Sequence, residues 1–324
     1  MRKIIQGFIF SGLLALSFWA GFQIARDRGM PFLMIRQFPW SIGIYGGESP
    51  FQLKPIQGVK NPVLTAADVT DTKALFVADP FMIQRENEWI MFFEILNQAT
   101  NQGDIGIARS PNGLQWKYEK IVLDEPFHLS YPYVFEWEGN YYLIPESAES
   151  NSVRLYKAKS FPDRWVLEKK IIEGVDYEDP SIIYHEGFWF LFVSPQYDHD
   201  TLHLYYAKEL AGPWLEHPKS PIVKNNGHHA RPGGRVIFYQ GKPFRFAQDD
   251  IPVYGNQVHA FEILKMTPAS YEEKAYAGNP VLKRGEGGWN VTRMHHMDPH
   301  QIREGEWIST VDGYGTYTEF SLKN

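Results

Sequence analysis

The chain has 324 residues, a formal net charge of −6, 44% hydrophobic and 15% aromatic residues, and no cysteine. Its apolar content argues against a disordered chain. The lack of a lysine or arginine cluster makes nucleic acid, held mainly by phosphate neutralisation, a poor partner. The missing cysteine excludes disulfides, thiolate metal sites and cysteine nucleophiles, whereas surplus aromatics with moderate charge suit the C–H faces of sugar rings.

The stretch 4–25 is apolar apart from Gln6, Ser11, Ser17 and Gln23, with Arg2 and Lys3 before it and Arg26 and Arg28 after. At about 1.5 Å per helical residue it is long enough to span ~30 Å of hydrocarbon. Phe18-Trp19-Ala20 fits a signal-peptidase site poorly, so an uncleaved anchor is expected rather than a removed signal peptide. Basic residues flank both ends equally, and an extracytoplasmic body follows from the N-terminal, signal-like position of the helix more than from charge counting. The expected organisation is 1–28 as membrane anchor or signal segment, 29–41 as linker and 42–324 as one folded body.

That body repeats. Asp79-Pro80, Tyr131-Pro132, Asp179-Pro180, Arg231-Pro232 and Asp298-Pro299 are separated by 52, 48, 52 and 67 residues, proline to proline. Each pair opens a β-rich run, a polar turn and a second aromatic-rich run: FMIQ-RENE-WIMFFE, YVFEW-EGN-YYLIPE, SIIYH-EG-FWFLFVS, RVIFY-QGK-PFRFAQD and HQIR-EGE-WISTVDG. These read as β-hairpins. Further strands follow in the first four units, giving four-stranded blades. The fifth unit is incomplete, and IGIYGGESPFQL (42–53) resembles the missing part. The prediction is an all-β, five-bladed β-propeller closed by its N-terminal strands, since an open ring would leave two unpaired edges. An open sheet or sandwich array is the alternative.

If the residue before each proline begins the innermost strand, the second strand returns to the same rim fourteen residues after the proline, at Glu94 and Glu146. With two extra residues in the fourth unit, it returns at Gln248, next to Asp249. Asp79, Asp179 and Asp298 then join them around one funnel. Clustered carboxyls are what glycoside hydrolysis uses: one as base or nucleophile, and one kept protonated by its neighbours as acid. The bland reading is that Asp before Pro caps a strand, and that the glutamates pair with Arg231, Arg235 or Arg245.

Five blades opened by Asp-Pro resemble the glycoside hydrolase superfamily of arabinanases, xylosidases, invertases and levansucrases. The resemblance implies Asp79 in VADPF as base or nucleophile and Asp179 in YEDPS as the group that tunes pKa and orients substrate. The family's acid is a Glu usually taken from the next blade. This chain departs there, offering Arg231, Arg235, Gln248 and Asp249, so Glu146 in IPES becomes the candidate acid. A closer resemblance is to the N-terminal domain of plant glucosamine inositolphosphorylceramide transferases and bacterial relatives. It is carried in order by ADPF, FFE, HLSYPYVFE, IPES, EDPS, ARPGGR, AQD, YG and MHHMD over about residues 40–315. It implies the same fold, a sugar or glycolipid context, and association with a separate glycosyltransferase.

Other rim candidates for substrate contact are His128, Tyr131 and Tyr254 for sugar faces and hydroxyls, Arg231 and Arg235 for bidentate hydrogen bonds, and His296 with Asp298. Adjacent residues in a strand face opposite ways, so at most one of His228/His229 and one of His295/His296 reaches the channel. They are read as substrate-binding or structural, with no metal or other cofactor expected. Trp116, Trp165, Trp214 and Tyr271 recur in outer strands and are read as packing. Three functions remain open: a glycosidase-like enzyme acting on a surface polysaccharide or glycolipid, a non-catalytic glycan-binding propeller, and an interaction scaffold. An apolar channel mouth would favour the last.

Overall fold

The computed structural model describes residues 33–196 and 199–320, together with positions 17, 19 and 21. Apart from those three positions, the expected membrane segment at 4–25 lies outside the described residues. No described helix is long and apolar enough to cross a membrane.

The first blade is β3 (Ala74–Arg85), β4 (Glu88–Asn97), β5 (Gln102–Ser110) and β6 (Lys117–Leu123), paired in that order. The second is β7 (Ser130–Trp137), β8 (Asn140–Glu146), β9 (Ser152–Ser160) and β10 (Arg164–Glu173). The third is β11 (Tyr177–His185), β12 (Phe188–Pro195), β13 (His203–Ala207) and β14 (Leu215–Glu216). The fourth is β15 (Ile237–Tyr239), β16 (Lys242–Asp249), β17 (Gln257–Thr267) and β18 (Ser270–Ala275), with β19 (Leu282–Lys283) also on β17. The fifth joins the two ends of the chain: β20 (Met297–Arg303), β21 (Glu306–Phe320), β1 (Leu33–Gly47) and β2 (Lys54–Pro55). The ring is a five-bladed propeller closed by N-terminal strands.

Both faces of a blade are buried, which is why WIMFFE is a nearly unbroken apolar run. Along β4, Ile90 and Phe92 pack toward the second blade, in a cluster with Tyr133 and Val134. Met91, Phe93 and Ile95 pack toward the fifth, with Ile42 and Ile44. The period-two alternation thus feeds two cores from one strand. The inner hairpins turn at Glu138-Gly139, Glu186-Gly187 and Gln240-Gly241, each with both residues at positive φ, as two-residue hairpin loops demand.

Two expectations need correction. Strand β1 starts at Leu33 and its pairing with β21 runs from Gly47↔Trp307 to Leu33↔Phe320. Most of the stretch expected to be a linker at 29–41 is therefore strand, and the two strands leave the blade as a ribbon. Nor do the prolines begin the inner strands. Asp79-Pro80, Tyr131-Pro132 and Asp179-Pro180 lie within β3, β7 and β11, where the ladder skips between Ala78 and Phe81, Ser130 and Tyr133, and Glu178 and Ser181. A proline has no N–H to give the ladder, and an inner strand is a sheet edge where a bulge absorbs it. Asp79, Tyr131 and Asp179 take φ of 52°, 43° and 51° there.

Ring closure is the feature to test. Ile44 is wholly buried on β1 between blades, so Ile44→Ala should lower the unfolding free energy by about 2–5 kcal/mol. Chemical denaturation measures it. A loss within error of zero would mean that β1 does not seal the ring.

Candidate functional site

A cavity of about 410 Å³ opens at the end of the channel where β4 and β8 finish. Asp79, Glu94, Glu146 and Glu178 line it, with Arg231, His128, His295, Trp40 and Tyr254. Glu94 sits opposite Ala78 and Glu146 opposite Ser130. The two-residue hairpin turns and the proline bulges therefore bring the ends of the second strands back beside the bulged residues.

Arg231 is the hub. Its Nε lies 2.5 Å from Asp179 Oδ2, its Nη1 2.8 Å from Glu178 Oε2, and its Nη2 3.9 Å from Glu146 Oε2. The guanidinium also lies 5.2 Å from the centre of the Tyr254 ring. Burial works against its charge, but Asp179, Tyr254 and the two glutamates hold its pKa well above the ordinary arginine value. Asp179 is almost fully enclosed and also accepts a 2.7 Å hydrogen bond from Gln248 Nε2.

The remaining carboxyls are desolvated without such a partner. Burial, with Asp179 and Glu178 nearby, pushes Glu146 well above the usual carboxylate range despite Arg231, and its Oε2 meets no hydrogen-bond partner among the described residues. Burial, with Asp79 and Asp179, pushes Glu94 up as well. His128 accepts a 3.0 Å hydrogen bond from the Gly103 amide at Nδ1 and turns Nε2 toward Glu94 at 3.5 Å. Burial lowers its pKa.

Asp79 stands between the two extremes. Burial raises its pKa to about 7, with His295 opposing and Asp312 and Asp179 adding. Its backbone N–H donates to Asp312 Oδ2 at 3.2 Å, and His295 Nε2 faces its carboxyl at 3.9 Å. His295 Nδ1 is bound by Asp312 at 2.8 Å. Burial disfavours the imidazolium, yet Asp312 raises the His295 pKa above the ordinary value. Trp40 stacks on His295 at 4.0 Å between centroids, and Tyr254 meets it edge-on at 5.2 Å. Asp79, His295 and Asp312 also offer ligand-type atoms within 4.8 Å of one another, a spacing already used by the hydrogen bonds of the trio.

Of the residues predicted from sequence, Asp79, Glu146, Glu94, His128, Arg231 and Tyr254 line the cavity, and Asp179 and Gln248 brace Arg231 from behind. The rest do not reach it. The Tyr131 hydroxyl pairs with Ser181 Oγ at 2.8 Å and accepts from the Gly234 amide at 2.7 Å, inside the channel. Glycine at 234 is needed for a different contact, the close passage of the blade-five backbone: its φ is 144°, and a Cβ there would lie 1.9 Å from the Met297 carbonyl oxygen. His296 points away from the cavity, with Nε2 3.1 Å from the Pro80 carbonyl oxygen, and burial lowers its pKa to about 4. Asp298 binds Arg235 at 2.6 Å, the Met82 amide at 2.7 Å and His300 at 2.9 Å, while Arg235 also donates to Val134 O. Blade five has no bulge at its proline, so its ladder runs unbroken through Asp298↔Thr310 and Asp298 turns toward blade one. Asp249 is taken up by His228, Gln257 and the Ile251 amide. Arg245 forms a two-pronged pair with Glu273 at 2.6 Å within blade four, not with Glu94 or Glu146.

Sequence reasoning missed Trp40, Glu178, His295 and Asp312. Glu178 adjoins Asp179 in EDPS, Asp312 closes WISTVDG, and His295 is the partner of the histidine selected in MHHMD.

The propeller fold is shared with solved glycoside hydrolases. A putative glycoside hydrolase from Parabacteroides distasonis superposes with a TM-score of 0.60 at 11% identity, covering 80% of this chain and 95% of that one. The catalytic domain of the Coprinopsis cinerea GH62 α-L-arabinofuranosidase gives 0.57 at 10%, covering 86% and 97%. At such identities the likeness is one of fold. Residues 36–314 match the family described as glucosamine inositolphosphorylceramide transferase 1, N-terminal, and the chain belongs to that family. Glucosamine inositolphosphorylceramide transferase 1 of Oryza sativa subsp. japonica is 36% identical over 91% of the chain, and that of Arabidopsis thaliana 37% over 85%. The chain spans 43% and 39% of those relatives' lengths.

The Asp79 shift has a consequence for stability. An unfolded-chain Asp loses its proton near pH ~3.9, whereas the folded carboxyl holds it to about 7. Between those values the folded state binds more protons, so this contribution to stability is complete at low pH and is lost as pH rises through about 7. Asp79→Asn should therefore gain on wild type in unfolding free energy between pH 4 and 8, by a few kcal/mol at most. Denaturant titrations at the two pH values check this. A constant difference would place the Asp79 pKa at its ordinary value.

Proposed function

We propose that the chain is a carbohydrate-active propeller, anchored in a membrane by its N-terminal apolar segment with the cavity on the extracytoplasmic side, that cleaves a glycosidic bond of a surface polysaccharide or glycolipid. The observation that carries the reading is the division of labour between two carboxyls in one cavity. Glu146 is buried beside other acids and keeps its proton, while Asp79 lies against His295 and titrates near neutrality, at about 7.

In this reading Glu146 gives its proton to the leaving glycosidic oxygen as the C–O bond breaks. Asp79, ionised, either takes a proton from the attacking water or itself bonds to the anomeric carbon before water releases the sugar. Asp179 raises the pKa of Glu146 and, with Gln248, holds Arg231 in place. Glu94, His128 and Tyr254 are the groups positioned for sugar hydroxyls and ring faces.

A second reading is a non-catalytic glycan-binding propeller that serves a separate glycosyltransferase. Its support is that the relatives the chain matches are named transferases and not hydrolases. A glycan-release screen of the full chain separates the two. On a responsive glycan, Asp79→Asn and Glu146→Gln should each lower turnover at least ~100-fold, the scale of lost acid–base catalysis. The wild-type rate should rise along an acid limb near the Asp79 value of about 7. Full turnover in both variants would remove these assignments. Binding without turnover in wild type, weakened in the variants, would establish the second reading.

A further inference from the structure

The strands of the fifth blade fix which way the cavity points relative to the N-terminus. β1 reaches Gly47 at the underside hairpins, where it pairs with Trp307, and runs back through Ile44 to Trp40 at the cavity wall. From Trp40 it continues, paired with β21, to Leu33↔Phe320. The ribbon therefore leaves the propeller on the cavity side, projecting for seven residues, or about 23 Å at roughly 3.3 Å per residue. Only seven residues, 26–32, lie between Ala25, the end of the apolar stretch, and Leu33, eight Cα steps in all. They span at most ~29 Å when fully extended.

From this we infer that the cavity opens toward the same bilayer that anchors the chain, so that its sugar is the headgroup of a lipid, or a lipid-linked glycan, standing on that bilayer. The inference rests on the anchor reading given above and adds orientation and substrate class to it. The ribbon and the short tether carry the anchor to the mouth of the cavity. To reach the underside, the tether would have to pass down the whole height of the propeller. The cavity face also carries exposed apolar side chains, Leu75 at the start of β3 and Ile251 and Val253 on the loop after β16, beside Tyr254 of the cavity wall.

The absence of cysteine makes the test direct, because a single introduced thiol carries a single label. Ile251→Cys reports the cavity face and Phe238→Cys, an exposed position on β15, reports the underside. The full-length chain, labelled with a fluorescent donor at one or the other, is reconstituted into phosphatidylcholine vesicles containing a rhodamine lipid as acceptor. The two positions differ in height by about 20 Å of strand, from Pro243 opposite Phe238 to Asp249 at the end of β16, so transfer from Ile251→Cys should exceed transfer from Phe238→Cys about two-fold or more. Equal transfer, or stronger transfer from the underside, in a chain that floats with the vesicles would overturn the inference and leave the anchor standing. A chain that fails to float with the vesicles would remove the anchor, and this inference with it.

Discussion

The pairing of β1 with β21 is the constraint on which the rest depends. It joins the two ends of the described chain in one blade and brings that blade against the first. Four contacts cross this seam at the Asp79-Pro80 bulge. Asp312 accepts from the Asp79 amide, Asp298 accepts from the Met82 amide, and both His296 Nε2 and Thr310 Oγ1 meet the Pro80 carbonyl oxygen. A bulge that would otherwise leave backbone groups unpaired in a dry interior is satisfied by side chains of the closing blade. Closure and the construction of the cavity are thus one event, because the same Asp312 that steadies Asp79 also orients His295.

The electrostatics follow from scarcity of positive charge. Among the described residues, Arg231 is the lysine or arginine that lines the cavity, and it is surrounded by more acids than it can neutralise. Its shortest contact goes to Asp179, so the cation is largely spent behind the cavity wall. The carboxyls in front are then desolvated with a distant cation and near anions, conditions that favour their neutral form. Asp79 departs from that trend because His295, made basic by Asp312, stands next to it. Two carboxyls of the same cavity are driven to different protonation states by which blade each one faces.

Much of this was legible in the sequence. The X-Pro spacing gave the ring because each proline occupies the same bulge in the first three blades, and fixed spacing between Pro80 and Glu94, and between Pro132 and Glu146, survived because the hairpin turns have equal length. The method failed in the fifth blade for the converse reason. With no bulge at Pro299, alternation there is out of step with the other blades, so Asp298 turns to Arg235 and Asp312 turns to Asp79. MHHMD could not be resolved from spacing, since adjacent histidines necessarily diverge and nothing local says which faces inward. Trp40 was out of reach altogether. It enters the cavity from a segment that reads as linker, through a partner more than 250 residues away.

The backbone at the bulges ties these observations together. Asp79 and Asp179 hold a left-handed φ, which costs a non-glycine residue of the order of 1–3 kcal/mol and is strained further by the proline that follows. Asp298, equally an Asp before proline, is not in that conformation and pairs in register. The strain therefore does not come from the dipeptide. It appears at the bulge that the first three blades share, at Tyr131 of the channel interior as well as at the two aspartates, and is missing from the fifth blade, where the proline sits in an unbroken ladder.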